Sequence, residues 1–504
     1  MNCIFITVDS LNRHFLRAYG GKVEMEVRTP NIDRLAARAA VFERHFAGSL
    51  PCMPARREFF AGVQEFLWRP WGPMEPFDEP LARVARRGGV VPQLVTDHYH
   101  YFQHGSHGYY EDYMGYELIR GHEYDAWRTT PRRPDPNFLR QILADQPEDT
   151  GFLNRAAYAR NVAGFRTEED FFPAKVFSRA AEWLRENGQQ EPWLLVIDSF
   201  DVHEPFHCPE PYASMYTDED PTDPELILWP RYGRVDEGSS RLTDRQLAFV
   251  RAQYAGKLTM VDRWLGVLLD EMDRQGLWAS TLLILTTDHG HFLGEHGWVG
   301  KPNAPMYDVL AHTPLFIWHP HSPLMGGRVN ALTSAVDLYA TMLDALGLEV
   351  PGSTHSRSLM PLLLGSAREH REWAIYGYWG STVNVTDGRY TYLHPCREDV
   401  EATCYSTMMI EPVDWFDPPR PKLHATAGRF LPYTDSPVWR YTARSTSRHG
   451  APLLFDIESD PEQQENLAGQ GASEEAAMRT LLINALQELS APPEQYERLG
   501  ILLP

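Results

Sequence analysis

Leu282-Leu283-Ile284-Leu285-Thr286-Thr287-Asp288-His289-Gly290 is the stretch that decides the fold class. It opens as a nearly all-apolar run with no two-residue alternation, the pattern of a strand buried on both faces of a parallel sheet. It then stops on a carboxylate, an imidazole and a glycine, so a polar loop begins where the strand ends. Upstream, Thr243 is placed to cap a long helix. Leu247, Val250, Tyr254, Leu258, Val261, Leu265, Leu268 and Met272 share one face of it until Gly276 ends it.

The same rhythm extends outward. Residues 3–8 (Cys-Ile-Phe-Ile-Thr-Val) form a buried strand ending on Asp9, and Thr29-Pro30 opens a helix carrying Ile32, Leu35, Ala36 and Ala39 on one face. Residues 90–95 run into Thr96-Asp97. A helix with Phe177, Ala180, Ala181 and Leu184 stops at Gly188 and leads to the strand Trp193 to Asp198. Strands alternating with helices predict an α/β protein, a large mainly parallel sheet sandwiched by helices. Ligands of such sheets gather beyond the carboxyl ends of the strands, where Asp9, Asp288 and His289 sit. Residues 97–150 and 204–240 lack a period but are rich in aromatic residues, and are expected as ordered loops roofing a pocket.

Past the helix Ala335 to Leu346 the pattern changes. Residues 373–379 and 382–393 read as strands, Thr386-Asp387-Gly388-Arg389 as a hairpin turn, and Ser473 to Leu489 as a helix. The expected division is a catalytic domain, 1–366, and a smaller C-terminal α+β domain, 367–504, with an antiparallel sheet and one covering helix.

A length of 504 residues suits two such domains, and the formal net charge of −21 argues against nucleic acid or an anionic membrane as a partner. An anionic substrate would need positive charge supplied locally. The cysteines, Cys3, Cys52, Cys208, Cys396 and Cys404, are odd in number with no framework spacing, which fits a reducing compartment. The amino terminus lacks the features of a signal peptide, and no apolar run reaches the roughly 18 residues of a membrane span. A cytoplasmic protein is expected, and a homo-oligomer is compatible with it.

Ser49-Leu50-Pro51-Cys52-Met53-Pro54-Ala55-Arg56-Arg57 carries the chemistry. A lone cysteine is ordinarily a small buried hydrophobe. Here two prolines bracket Cys52, placing it on a turn that leads into a helix, and Arg56, Arg57 and Glu58 follow as they would at the rim of an anion site. With Asp9, Asp288 and His289 it forms a candidate centre for one divalent cation, oxygen-rich with a single nitrogen, suited to calcium, magnesium or manganese. The plainer reading has both aspartates merely capping the segments after their strands.

Cys52-x-Pro54-x-Arg56 resembles the signature of the sulfatases, in which this cysteine is oxidised to formylglycine. Thr287 to Lys301 is similar to the family stretch in which a strand-end aspartate and its neighbour bind the metal and a lysine contacts the sulfate, here Lys301. His203-Glu204-Pro205 resembles the His-x-Pro whose histidine lies beside the scissile oxygen. Thr29 to Leu35 and Leu454 to Pro461 agree as well. The resemblance implies an alkaline phosphatase-like fold and sulfate ester hydrolysis with one divalent ion, calcium or manganese. It implies metal ligands Asp9, Cys52, Asp288 and His289, and catalytic Cys52, Arg56, His100, His203 and Lys301. It also implies a formylglycine-generating enzyme as maturation partner and a small anionic sulfate or phosphonate ester as substrate.

Three departures stand out. Asp9 is followed by Ser10 where the family's calcium sites have a second aspartate, and His289 replaces a frequent asparagine; both features are similar to phosphonate monoester hydrolases and choline sulfatases. Asp97 stands near an expected lysine, leaving His100 as first and His98 as second choice for the matching imidazole. Two alternatives therefore stand beside a sulfatase: a phosphonate monoester or phosphodiester hydrolase of the same superfamily, and an inactive binding protein with unmodified Cys52.

Overall fold

The computed structural model describes residues 1–502 apart from 104–105, 131–132, 145–153, 302–304, 410–423, 444–449 and 472. Its largest sheet has eight strands in the order Arg328–Ser334, Ala40–Phe46, Leu315–Trp318, Thr281–Thr286, Asn2–Val8, Trp193–Ser199, Val91–Thr96 and Gly115–Leu118. Only Leu315–Trp318 runs antiparallel to its neighbours, so the sheet is mainly parallel as expected.

Side chains alternate across Asn2–Val8, and each set enters a different core. Ile4, Ile6 and Val8 pack with residues of the helices Phe172–Asn187 and Asp244–Gln275. Cys3 and Phe5 pack on the other face with Cys52–Ala61, Leu81–Arg87 and Asp337–Ala345. Burial on both faces is why these strands read as continuous apolar runs. The long helix begins at Thr243, whose side chain accepts from Gln246 N while Gln246 caps it in return, and ends at Gly276 in the left-handed conformation (φ 66°).

The C-terminal region builds a five-stranded sheet in the order Leu453–Asp456, Tyr390–His394, Val383–Thr386, Ala374–Tyr378 and Ser49–Leu50. The predicted hairpin is present. Asp387 Oδ1 accepts from Arg389 N (2.8 Å) and Tyr390 N (2.7 Å), and Gly388 takes φ 91°. The helix Ser473–Glu488 covers this sheet through Met478, Leu482, Ala485 and Leu486. Ser49–Leu50 pairs in parallel with Gly377 and Tyr378, so the strand that delivers Cys52 belongs to the C-terminal sheet rather than the large one.

Several elements escaped the sequence. Ala40–Phe46, Leu315–Trp318 and Arg328–Ser334 complete one side of the large sheet, and Ala402–Ser406, Val438–Ala443 and Thr426–Gly428 form a small sheet of their own. The span 97–150, expected as loop, contains the edge strand Gly115–Leu118 and the helix Pro136–Leu143. That strand has no buried residue to give it a hydrophobic pattern. No described helix is long and apolar enough to cross a membrane.

Candidate active site

Asp9 follows the central strand, and Asp288 and His289 follow its parallel neighbour, so register brings all three to one end of the sheet. Cys52 arrives from the first turn of its helix. One ligand-type atom from each of Asp9, Cys52, Asp288 and His289 lies within 4.8 Å of the others, and all four residues are buried. His289 Nδ1 faces Gly290 O at 2.8 Å, which fixes the proton on Nδ1. The Nε2 lone pair then faces Cys52 Sγ at 3.4 Å and Asp288 Oδ2 at 3.3 Å. Asp9 Oδ2 is buried without a hydrogen bond, although Arg56 Nη2 lies 3.0 Å away. An unmet carboxylate oxygen beside a directed imidazole lone pair suits a divalent cation, and the ligand set fits one.

Arg56 sits inside the protein, among carboxylates. Its Nε and Nη2 donate to Asp198 (3.0 and 2.8 Å), and Nη1 donates to Cys52 O (3.2 Å) and to Asp288. It thus ties Asp288, a candidate ligand, and Asp198 to the backbone of residue 52. Sequence reasoning missed Asp198. Strand alternation held the signal: Asp198 shares a face with Leu194 and Val196, the face covered by the Cys52 helix. The expectation that Arg57 and Glu58 line a rim is corrected, because both are completely buried. Arg57 pairs with Asp78 through two bonds of 2.8 Å, and Glu58 accepts from Ser49 N at 2.5 Å, bracing the strand before Cys52.

Lys301 Nζ lies 3.4 Å from Cys52 Sγ and 3.2 Å from Ser10 Oγ. Burial opposes its charge, but Cys52 and Asp9 outweigh that and hold the ammonium well above its usual range. Tyr378, from the C-terminal sheet, donates its hydroxyl to Lys301 O. Asp9 is held well below the usual carboxylate range: burial works against the charge, yet Lys301 and then Arg56 prevail. Burial, reinforced by Asp9, pushes the Cys52 thiol well up, so the unmodified side chain is a poor nucleophile.

His203 stacks on Phe200 at 4.2 Å between ring centroids, and its Nδ1 is bonded to Glu204 O at 2.8 Å. Burial and then Lys301 lower it well below the usual imidazole value. Of the two loop imidazoles, His98 reaches the centre, with Nε2 3.5 Å from Asp9 Oδ2. His100, the first choice from sequence, turns its Nδ1 to Gln103 and its Nε2 to Glu123 (3.2 Å). Ser10, at φ 61°, donates Oγ to Asp9 (2.8 Å) and N to Asp288 (3.1 Å), so it buttresses the two aspartates where a third carboxylate was absent.

The chain is 24% identical to the multifunctional alkaline phosphatase superfamily protein PehA of Trinickia caryophylli, over 94% of this chain and 92% of that protein. It is also 24% identical to the choline-sulfatase of Rhizobium meliloti, over 79% of each. The phosphonate monoester hydrolase of Agrobacterium radiobacter shares the fold, with a TM-score of 0.65 over 97% of this chain and 95% of that one at 22% identity. The family model described as Sulfatase matches residues 1–348. That match spans most of the sequence and takes in each side chain gathered around Cys52, and the chain accordingly belongs to the sulfatase family, the sulfuric ester hydrolases of alkaline phosphatase-like fold.

Proposed function

We propose that the chain hydrolyses sulfate esters with a formylglycine derived from Cys52 and one divalent cation, calcium or manganese, held by Asp9, residue 52, Asp288 and His289. The observation that carries this reading is the convergence of Lys301 Nζ and His289 Nε2 on Cys52 Sγ, each at 3.4 Å. In the described chain Sγ stands in for the hydroxyl oxygens of the modified residue. A hydrated aldehyde there supplies one hydroxyl to attack and a second whose proton loss expels sulfate, and a bound cation supplies positive charge for the ester's non-bridging oxygens.

The remaining roles fall to side chains. Lys301 offsets charge on the sulfuryl oxygens from within a buried pocket, where such interactions are strongest. His203 is placed to serve the leaving oxygen, with its ring fixed by Glu204 O and Phe200; since burial and Lys301 disfavour its charge, it can deliver a proton there only once a bound anionic ester raises its affinity for one. His98 stands against Asp9, and Arg56 keeps Asp198, Asp288 and residue 52 in register. Five buried free thiols support a reducing, cytoplasmic setting, and maturation calls for a formylglycine-generating enzyme. In the same reading residues 1–366 carry the chemistry, while 367–504 brace it through Ser49–Leu50 and Tyr378.

A second reading, phosphonate monoester or phosphodiester hydrolysis, is favoured by Ser10. With a hydroxyl where a further carboxylate would stand, the centre retains more positive charge, which a phosphoryl group gathering charge in the transition state would use. Parallel turnover of an aryl sulfate and an aryl methylphosphonate by cation-loaded enzyme tests the choice. A higher kcat/KM for the sulfate supports the first reading, and a higher value for the phosphonate replaces it with the second.

A further inference from the structure

A cavity that the chemistry above leaves unused lies at the same end of the large sheet as the catalytic centre, beyond different strands. Asp9 and Asp288 follow Asn2–Val8 and Thr281–Thr286, whereas Tyr99 and Arg120 follow Val91–Thr96 and the edge strand Gly115–Leu118. Neighbouring strands lie about 4.8 Å apart, so a separation of two or three strands places the cavity roughly 10–15 Å from the candidate cation ligands. Its volume is about 840 Å³, a size that takes small organic ligands, and none of Asp9, Cys52, His203, Asp288 or Lys301 lines it.

The walls combine flat aromatic faces with guanidinium groups. Tyr99, Tyr124 and Trp127 line the cavity together with Arg120, Arg128 and Arg160. Asp125 is the only carboxylate among the described lining residues, and Arg120 neutralises it through two bonds of 2.7 Å. Arg128 lies over the Trp127 ring, 4.0 Å from its centroid, and neither Arg128 nor Arg160 has a carboxylate partner among the described residues. On a chain of formal charge −21, two uncommitted cations at one cavity reverse the local sign.

The loop that supplies these groups is fastened in place. Asn161, fully buried on the helix Arg155–Val162 that also carries Arg160, donates to Gly121 O (3.0 Å) and Asp125 O (2.8 Å) and accepts from Arg128 N (3.0 Å). A wall ordered in advance costs a ligand less on binding. Two lining amides, Gln103 and Asn154, each keep a polar atom that no hydrogen bond meets, so the wall is not saturated by its own side chains.

We infer that this cavity is a binding site, separate from the catalytic centre, for a planar aromatic carboxylate. The ring finds faces to stack on in Tyr124 and Trp127, and the carboxylate matches the fork of a guanidinium, which bonds both oxygens at once. The local charge repels a metal ion, and an aliphatic anion would leave the aromatic walls unused.

Isothermal titration calorimetry on the full chain tests this with 2-naphthoate, with acetate for the charge without the ring and 2-naphthol for the ring without the charge. The readout is binding, so the result is independent of whether the hydrolase reading holds. 2-Naphthoate should bind one to one and at least about tenfold tighter than either control, the worth of one charge-assisted contact. R160M should weaken it about tenfold on the same scale, R128M should weaken it too, and Lys301→Ala should leave it unchanged. Neither arginine holds an ion pair, so both variants should keep the wild-type unfolding midpoint; if R160M does not fold, R128M decides. No saturable binding, equal binding by both arginine variants, or affinity lost in Lys301→Ala and kept in R160M, which would put the ligand in the catalytic centre, each overturns the site.

Discussion

Lys301 and Cys52 face each other at 3.4 Å across a buried gap, and that distance makes the lysine a charge aimed at the reacting group. Lys301→Ala should therefore lower turnover about 10²- to 10³-fold at saturating substrate, as loss of one preorganised partner does. A loss below about tenfold on that scale would make Lys301 a structural ammonium held by Asp9 and Ser10. Asp288→Ala should lose both a stoichiometric divalent ion and activity, and an unchanged ion content on metal analysis would contradict the ligand assignment. At this scale the sequence showed much of the site, because Asp9, Cys52, Asp288 and His289 lie at motif positions and at strand ends. Asp198 and His98 were harder to find. Asp198 looked like the last residue of a buried strand, and its role appears only when alternation and the covering helix are known. His98 caps and His100 lies within the short 3-10 helix Tyr99–Phe102, two residues apart, and no periodicity in so short an element says which ring points inward.

Among elements, the long helix Asp244–Gln275 does more than cover the sheet. Its Lys257, completely buried, donates to His203 O (2.7 Å) and Pro205 O (2.8 Å) and pairs with Asp201 at 2.5 Å. The turn that presents His203 is thus fastened to the helix middle. Lys257→Met should strip Asp201 of its ammonium partner, leaving it only His122 Nε2 at 2.6 Å among the described residues, and cost about 3–5 kcal/mol in urea unfolding. In whatever fraction remains folded, kcat should fall more than KM rises, because the proton donor is displaced while the anion site is kept. A stability change below about 1 kcal/mol would show that the pair carries no weight on that scale. This helix was the most legible element, with eight apolar residues at helical spacing between Thr243 and Gly276. Gly115–Leu118 was not, since a short edge strand with no buried face leaves no pattern to read.

For the molecule as a whole, the proposed boundary near residue 366 is crossed by contacts that sequence could not reveal, one of them joining residues more than three hundred positions apart. Ser49–Leu50 is a strand of the C-terminal sheet, and Arg371 clasps Asp337, the first residue of a helix under the large sheet, with Nε at 2.7 Å and His370 at 3.0 Å. Burial opposes ionisation of Asp337, but Arg371 and then His370 outweigh it and hold the carboxyl well below its usual range. Such a depressed carboxylate stabilises the fold above its unfolded pKa of about 3.9 and loses that contribution as pH falls through the folded value. Arg371→Met should cost about 3–5 kcal/mol at neutral pH and flatten the acid limb of the stability curve. Equal acid limbs in equilibrium unfolding would remove Asp337 from the account.

The central claim, that Cys52 works only after conversion to formylglycine, is tested most directly by mass spectrometry of the peptide containing residue 52, paired with specific activity across preparations of graded conversion. Activity toward the preferred aryl ester should rise in proportion to the converted fraction and extrapolate to zero at none. Full turnover by protein whose Cys52 is entirely thiol would contradict it.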